Sequence, residues 1–255
     1  MSQQLPLIIL RFDSLPSTNT EAARQAMQGA PEGLCVVARE QTAGRGRQGR
    51  NWASPKDGGL YFSIVLRPRL ELSRWPLLTL MAAVTVRDAL QEACALAADI
   101  KWPNDLLAGG LKLCGILDET IETEAGRAAI VGIGINLNDR ALSPELRGTA
   151  TSIEAATGNV PDTETVLRAL AHHLSRRYEE LHEATGPAAI LRAWAAASSY
   201  AAGRRVRVTL NDEVIEGTTR GLEPDGALCV ETEAGETEIV RAGDVVAVRQ
   251  VMNAK

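Results

Sequence analysis

After Gly203 the hydrophobic pattern of this chain changes from long intervals of mixed helix and strand period to short alternating runs. The runs are Val206-x-Val208-x-Leu210, Val214 to Arg220, Ala227 to Glu231 and Glu238 to Val248, separated by turn residues at Asn211-Asp212 and Pro224-Asp225-Gly226. Short strands at close, regular spacing predict a small β-barrel. Before Gly203 the pattern predicts a different body. Strands are expected over Leu7 to Phe12, Leu34 to Arg39, Leu60 to Leu66, Ile100 to Trp102, Leu111 to Leu117 and Ala129 to Leu137. Helices are expected from a Ser17 or Thr18 cap to about Gln28, from Trp75 to about Ala97, and from Asp162 to about Glu183, where Gly186-Pro187 is expected to end the last one. The interval Asn138 to Thr149 reads as a loop. A mixed sheet with helices, followed by a barrel, is the layout these periods allow.

Several chemistries are excluded by scarcity. The three histidines, His172, His173 and His182, fall in one helical stretch, which argues against a Ser-His-Asp triad or a dedicated zinc site drawing partners from separated segments. The four cysteines, Cys35, Cys94, Cys114 and Cys229, form no C-x-x-C pair and suit buried thiols in a reducing compartment, so a cytoplasmic location is expected. The N-terminus has no secretory pattern, and the most apolar segment, Pro76 to Val86, is too short to span a bilayer, so no membrane role is expected. With 27 basic and 32 acidic residues the formal charge is −5, so an anionic ligand needs a local basic patch.

One such patch lies at Gly44-Arg45-Gly46-Arg47-Gln48-Gly49. The segment matches G-x-G-x-x-G literally, but Arg50-Asn51-Trp52-Ala53-Ser54-Pro55 follows where the dinucleotide motif requires a helix. No P-loop pattern occurs. What remains is a reshapeable loop carrying Arg45, Arg47 and Arg50, suited to gripping phosphate or carboxylate oxygens, or to lying solvated or against RNA if it stood alone. It is accompanied by Lys101-Trp102-Pro103-Asn104-Asp105, by Lys112 within the apolar run Leu111 to Leu117, and by Gly132-x-Gly134-x-Asn136. A lysine in an apolar strand calls for an anionic partner. Alternating glycines on a strand let a ligand approach the backbone.

In this order, these segments resemble the biotin–protein ligases, and the resemblance runs over essentially the whole chain. It implies an α+β fold: a mixed β-sheet catalytic domain flanked by helices, of the class II aminoacyl-tRNA synthetase and biotin synthetase type, over residues 1–200. A small C-terminal SH3-like β-barrel is expected over 203–255. It implies ATP and biotin as substrates, joined as biotinyl-5′-AMP, with Mg²⁺ expected alongside ATP and no metal ligands among the site residues. By resemblance Ser17, Thr18, Asn19, Gln41, Gly44, Arg45, Gly46, Arg47, Lys112 and Gly115 would bind biotin. Arg47, Arg50, Trp52, Asn104, Asp105 and Asn136 would serve the nucleotide. Lys112, Arg47 and Arg45 would be catalytic, and Asn138 to Ser152 would fold around adenine. The partner implied is a biotin carboxyl carrier domain, and the sequence leaves a homodimer through a sheet edge open.

Simpler roles stand beside these. Ser17 and Asn19 are also good helix caps, Trp102 and Cys114 read as core, and Asp105 is able to close a turn. A lipoate or octanoate ligase is the nearest alternative enzyme, though the arginine loop and Lys112-Leu113-Cys114-Gly115-Ile116-Leu117 fit the biotin family better. Repressor relatives carry a helix-turn-helix ahead of the Ser-Thr-Asn segment. That segment starts here at residue 17, and Arg204, Arg205 and Arg207 are offset by Asp212, Glu213 and Glu216, so no DNA binding is expected.

Overall fold

The computed structural model of the chain describes residues 5–146, 148–210 and 213–248. The turn expected at Asn211-Asp212, and the outermost residues of both expected domains, lie outside the described residues.

The first sheet contains β1 (Ile8–Phe12), β2 (Leu34–Ala38), β3 (Gly59–Leu66), β4 (Asp99–Lys101), β5 (Asp105–Ala108), β6 (Leu111–Thr123) and β7 (Gly126–Asn136), in the order β1-β2-β3-β7-β6-β5-β4. Only β1 and β2 are parallel; the other neighbours are antiparallel, so the sheet is mixed as expected. Helices α1 (Thr18–Met27), α2 (Leu77–Cys94), α3 (Ile153–Thr157), α4 (Thr163–Leu181) and α5 (Gly186–Ala196) complete this part.

Both faces of the sheet are covered, which is why β3 is buried at every position and reads as a continuous apolar run. Leu60, Phe62, Ile64 and Leu66 point with Ile133, Ile135 and Ile116 into the large core, together with Leu78, Met81, Leu170, Leu174 and Trp194 from the helices. On the other face α1 lays Ala22 and Ala26 over Val36, Val65, Ala128 and Ile130. Ser17 caps α1, its hydroxyl accepting the Thr20 N–H at 3.4 Å, and Asp162 caps α4 by accepting from Thr165 N at 3.0 Å. Because α1 is short, it leaves the rest of its face for the site.

Four local readings are corrected. Gly186-Pro187 opens α5, with proline in its first turn, where a missing N–H costs nothing. Asp105 begins β5, a strand the sequence did not announce, because Pro103-Asn104 and Gly109-Gly110 frame it as a turn. The five-residue α3 emerges from the interval after the expected loop, capped by Ser152 accepting from Ala155 N at 3.0 Å. The expected last strand, Glu238 to Val248, is two.

Those two are β11 (Thr237–Val240) and β12 (Asp244–Ala247), which join β8 (Ala202–Leu210), β9 (Glu213–Leu222) and β10 (Leu228–Thr232) in an antiparallel sheet of order β11-β10-β9-β8-β12. Gly243, at φ +139°, breaks the run so that the chain leaves one edge of the sheet and reaches the other. Val206, Val208, Leu228, Val230, Val240 and Val245 form its inner face and are continuous with the large core.

Trp102, 2% exposed, donates its indole N–H to Gly226 O at 3.0 Å and so ties the two parts together, as a core tryptophan with a satisfied polar tip. Trp102→Phe keeps the buried ring but orphans that carbonyl. It should cost about 1–3 kcal/mol and lower Tm by about 2–4 °C per kcal/mol. Thermal unfolding followed by circular dichroism checks this, and an unchanged Tm contradicts it.

Candidate active site

Strand register builds the floor of a cavity on the α1 face. Ser63 of β3 pairs with Gly132 of β7, which pairs with Leu117 of β6; in the next row Tyr61 pairs with Gly134, Gly134 with Gly115, and Gly115 with Asp105. The glycines are needed for close approach. A Cβ at Gly132 would lie 2.0 Å from Asn19 Oδ1, and one at Gly134 would lie 2.5 Å from Trp52 Nε1. The space above both glycines is thus taken by protein side chains, with the Trp52 indole also over Gly115.

One end of the cavity is neutral and polar. Ser17, Thr18 and Asn19, each at most 4% exposed, converge on it with Gln41. Gln41 Oε1 accepts from Thr18 N at 2.8 Å and Thr18 Oγ1 at 3.0 Å, while its Nε2 donates to Ser54 Oγ at 2.8 Å. Asn19 Nδ2 donates to Leu117 O at 3.2 Å and Glu119 Oε2 at 2.9 Å. Helix capping and site formation are therefore the same local event at Ser17 to Asn19.

The other end is cationic. Lys112 Nζ lies 2.6 Å from Asp105 Oδ1 and 5.4 Å from the centre of the Trp52 ring. That ion pair is off the hydrogen-bond axis, so Asp105 Oδ1 has no aligned donor. Lys101 is at 3.9 Å from the other oxygen of the same carboxylate. The anion that a lysine in an apolar strand requires is thus Asp105.

The three loop arginines have different surroundings. Gln48 (φ +56°) and Gly49 (φ +71°) turn the loop back on itself, with Gly46 N donating to Arg50 O at 2.7 Å, so the glycine segment closes a tight turn over Arg47–Gly49 and opens no α-helix. Arg45 pairs with Glu119, and Arg50 with Asp244 of β12. Arg47 alone of the three forms no ion pair among the described residues. It donates to Asn104 Oδ1 at 3.0 Å, and Asn104 Nδ2 in turn donates to Ile116 O at 2.8 Å. Burial pulls the Arg47 guanidinium below its ordinary value, and the Asp244 and Asp105 charges partly offset this. A half-buried guanidinium without a counter-ion is a prepared anion site.

Two expected site residues lie elsewhere. Asn136 is buried at the end of β7 and spends its amide on Thr151 O at 2.9 Å. Gly44 packs against Trp52 O and borders a neighbouring groove lined by Ser143, Glu145 and Leu146. Four polar residues escaped the sequence reading: Ser54, Ser63, Glu119 and Asp244. Only Ser63, a lone hydroxyl inside an apolar strand, carried a local signal. Among the described residues no group of three or more His, Cys, Asp or Glu is placed to hold a metal, and all four cysteines are free. No helix among the described residues is long and apolar enough to cross a membrane.

Comparison with known proteins first gives the class: residues 11–136 match the biotin/lipoate A/B protein ligase family, and residues 202–247 match the biotin protein ligase C-terminal domain. The chain is 38% identical over 239 residues to the bifunctional ligase/repressor BirA of Bacillus subtilis, covering 92% of this chain and 72% of that protein. It is 36% identical to the biotin–[acetyl-CoA-carboxylase] ligase of Paracoccus denitrificans, covering 90% and 96%. The biotin protein ligase of Aquifex aeolicus, solved in complex with biotin and ATP, superposes with a TM-score of 0.81 at 30% identity, covering 94% of this chain and 98% of that one. The chain belongs to the biotin protein ligase family.

On the opposite face of β6, Asp118 borders an adjoining cleft with Thr79, Trp102 and Arg241, and its buried Oδ1 has no partner among the described residues. Burial, with the Glu119 charge adding, pushes its carboxyl up to about 7. In the unfolded chain an aspartate ionises near 3.9. Between those values the folded protein holds more protons than the unfolded one, so this residue makes stability fall as pH rises from about 4 to about 7. Asp118→Asn should leave Tm unchanged near pH 4 and raise it by several degrees at pH 8. Parallel pH profiles of Tm for both proteins would contradict this.

Proposed function

We propose that this protein condenses biotin with ATP to biotinyl-5′-AMP, releasing pyrophosphate, and then transfers the biotinyl group to a lysine of a biotin carboxyl carrier domain. The observation that carries the reading is the two-ended cavity. A neutral cluster of hydroxyls and amides faces, across a glycine floor, a lysine and an arginine that lacks a counter-ion. That is the complement of a molecule with an uncharged polar head and a carboxylate tail. The biotin-specific names of the relatives, and the match over the C-terminal part, favour biotin over lipoate.

In the first step a biotin carboxylate oxygen attacks the α-phosphorus of ATP, and the bond to the leaving pyrophosphate breaks. Two anions must be held in line, and charge builds on the phosphoryl oxygens, so fixed cations at that point lower the barrier. Lys112 and Arg47 supply them, Lys112 by exchanging Asp105 for ligand oxygens. A pair with so poorly aligned a hydrogen bond exchanges its partner readily for an incoming oxyanion. Arg45 and Arg50 close the loop over the ligand through Glu119 and Asp244. In the second step the acceptor amine attacks the acyl carbon and AMP leaves.

Mg²⁺ fits this site as a companion of ATP: Asp105 Oδ1, which lacks an aligned donor, would take part, with phosphates and water completing the shell. Mg²⁺ would neutralise phosphate charge. We assign residues 1–200 to catalysis and 203–255 to the C-terminal domain, and place the protein in the cytoplasm, where free thiols persist. A second copy would find the outer edge of β1, since that of β4 is taken up by Ala197 and Ser198.

Purified protein, ATP, Mg²⁺, biotin and a carrier domain should give a carrier one biotinyl group heavier by mass spectrometry. No mass change overturns the reading. Lys112→Ala should abolish adenylate formation, by at least about a thousandfold if it holds the transition-state charge, with an unchanged circular dichroism spectrum; retained exchange of pyrophosphate into ATP contradicts its role. Arg47→Met should speed release of preformed biotinyl-5′-AMP by about tenfold or more, the loss of one charge-assisted contact. An off-rate equal to the parent's removes Arg47 from the anion site.

A further inference from the structure

We infer that Glu119 is the positioning residue that sets the hydrogen-bond polarity of the neutral end of the cavity, and thereby selects an acid whose head group offers N–H donors. The inference rests on the biotin-activating reading above. Its basis is a chain of bonds with one consistent direction.

An ionised carboxylate only accepts hydrogen bonds. Glu119 Oε2 takes one Asn19 amide hydrogen at 2.9 Å, and Leu117 O takes the other at 3.2 Å. The amide is thereby fixed with Oδ1 towards Ser63, whose hydroxyl donates to it at 2.6 Å. Ser63 has one proton, and it is now committed. Thr18 Oγ1, 2.8 Å from Ser63 Oγ and 3.0 Å from Gln41 Oε1, therefore receives no proton from Ser63, and its own proton is taken up by one of those two protein oxygens. Its own proton turned inward, Thr18 presents oxygen lone pairs to the cavity it lines. Those lone pairs suit a ureido N–H and offer nothing to a head group without donors.

A neutral side chain at 119 removes the constraint. Glutamine is able to donate as well as accept, so the Asn19 amide is free to turn over, Ser63 to donate to Thr18, and the Thr18 lone pair to be consumed internally. Glu119 also clasps Arg45, so any test must separate polarity from loop closure.

The measurement is kcat/KM for biotin against kcat/KM for lipoic acid, an acid of similar shape without the ureido group, in pyrophosphate–ATP exchange. Glu119→Gln should narrow the biotin preference by about tenfold or more, the effect of mis-set buried hydrogen bonds. Asn19→Ala removes the acceptor that holds the Ser63 proton, and so releases that proton to Thr18, without touching the ion pair. It should narrow the preference similarly and keeps the test alive if the first variant does not fold, whereas Ser63→Ala, which removes the competing proton, should keep the preference alone and restore it in either background. Arg45→Met breaks the clasp but leaves Glu119 on Asn19, and should lower both acids together with the preference retained. If Glu119→Gln and Asn19→Ala keep the parent's preference, or lose both acids equally, the inference is wrong. If the parent protein itself activates no biotin, the ligase reading is what has failed.

Discussion

The site depends on the register in which β7 pairs between β3 and β6. Side chains alternate across a sheet, so a slip of β7 by one residue would carry Gly132 and Gly134 to the face covered by α2 and α4 and bring Ile133 and Ile135 into the cavity. The register is held by residues with no part in the chemistry: Phe62, Ile64, Ile116, Ile133 and Ile135 are buried against the helix layer. Burying five large apolar side chains is worth several kcal/mol more than any hydrogen bond in the cavity. The polar row is therefore positioned by the core beneath it, and its precision comes from packing.

Charge in the cavity is nearly balanced before any ligand arrives. Arg45 with Glu119, Arg50 with Asp244, and Lys112 with Asp105 are internally compensated, and Arg47 is held by a neutral amide alone. A formal charge of −5 for the whole chain therefore says little about this pocket. The compensating carboxylates come from three places, β5, β6 and the C-terminal sheet, so the arginine loop is clasped from both parts of the molecule. Exposed ion pairs of this kind contribute under about 1 kcal/mol each. They orient the loop cheaply and leave it free to exchange partners with an incoming anion.

The cationic end was legible in the sequence because a charge in an apolar context is costly and so stands out: Lys112 within a strand, three arginines among glycines. The neutral end was legible only in part. Thr18 and Asn19 look like any helix start, and Glu119 sits in Asp118-Glu119-Thr120, which reads as an exposed strand end. Asp244 could not be found at all, since only folding brings the last strand to the loop at residue 50. The same limit explains the fold's surprises. Asp105 to Ala108 becomes a strand through pairing with β4 and β6, and strand formation in so short a segment is decided by neighbours. Gly186-Pro187 was ambiguous because proline is equally at home just after one helix and in the first turn of the next.

Lys112 links the two halves of the proposed reaction through its backbone as well as its ammonium. Its N–H donates to Thr149 O at 3.0 Å and its carbonyl accepts from Thr151 N at 2.8 Å, while Asn136 holds Thr151 O. The segment expected to meet adenine is thus sewn to the strand that carries the lysine. Asn136, expected at the nucleotide, spends its amide on fixing that segment. Any rearrangement around residues 149–151 must either break these bonds or move the Lys112 peptide with it. The side chain proposed to reach both the carboxylate and the α-phosphate thus stands on a junction where ordering of the segment and placement of the cation are a single structural event.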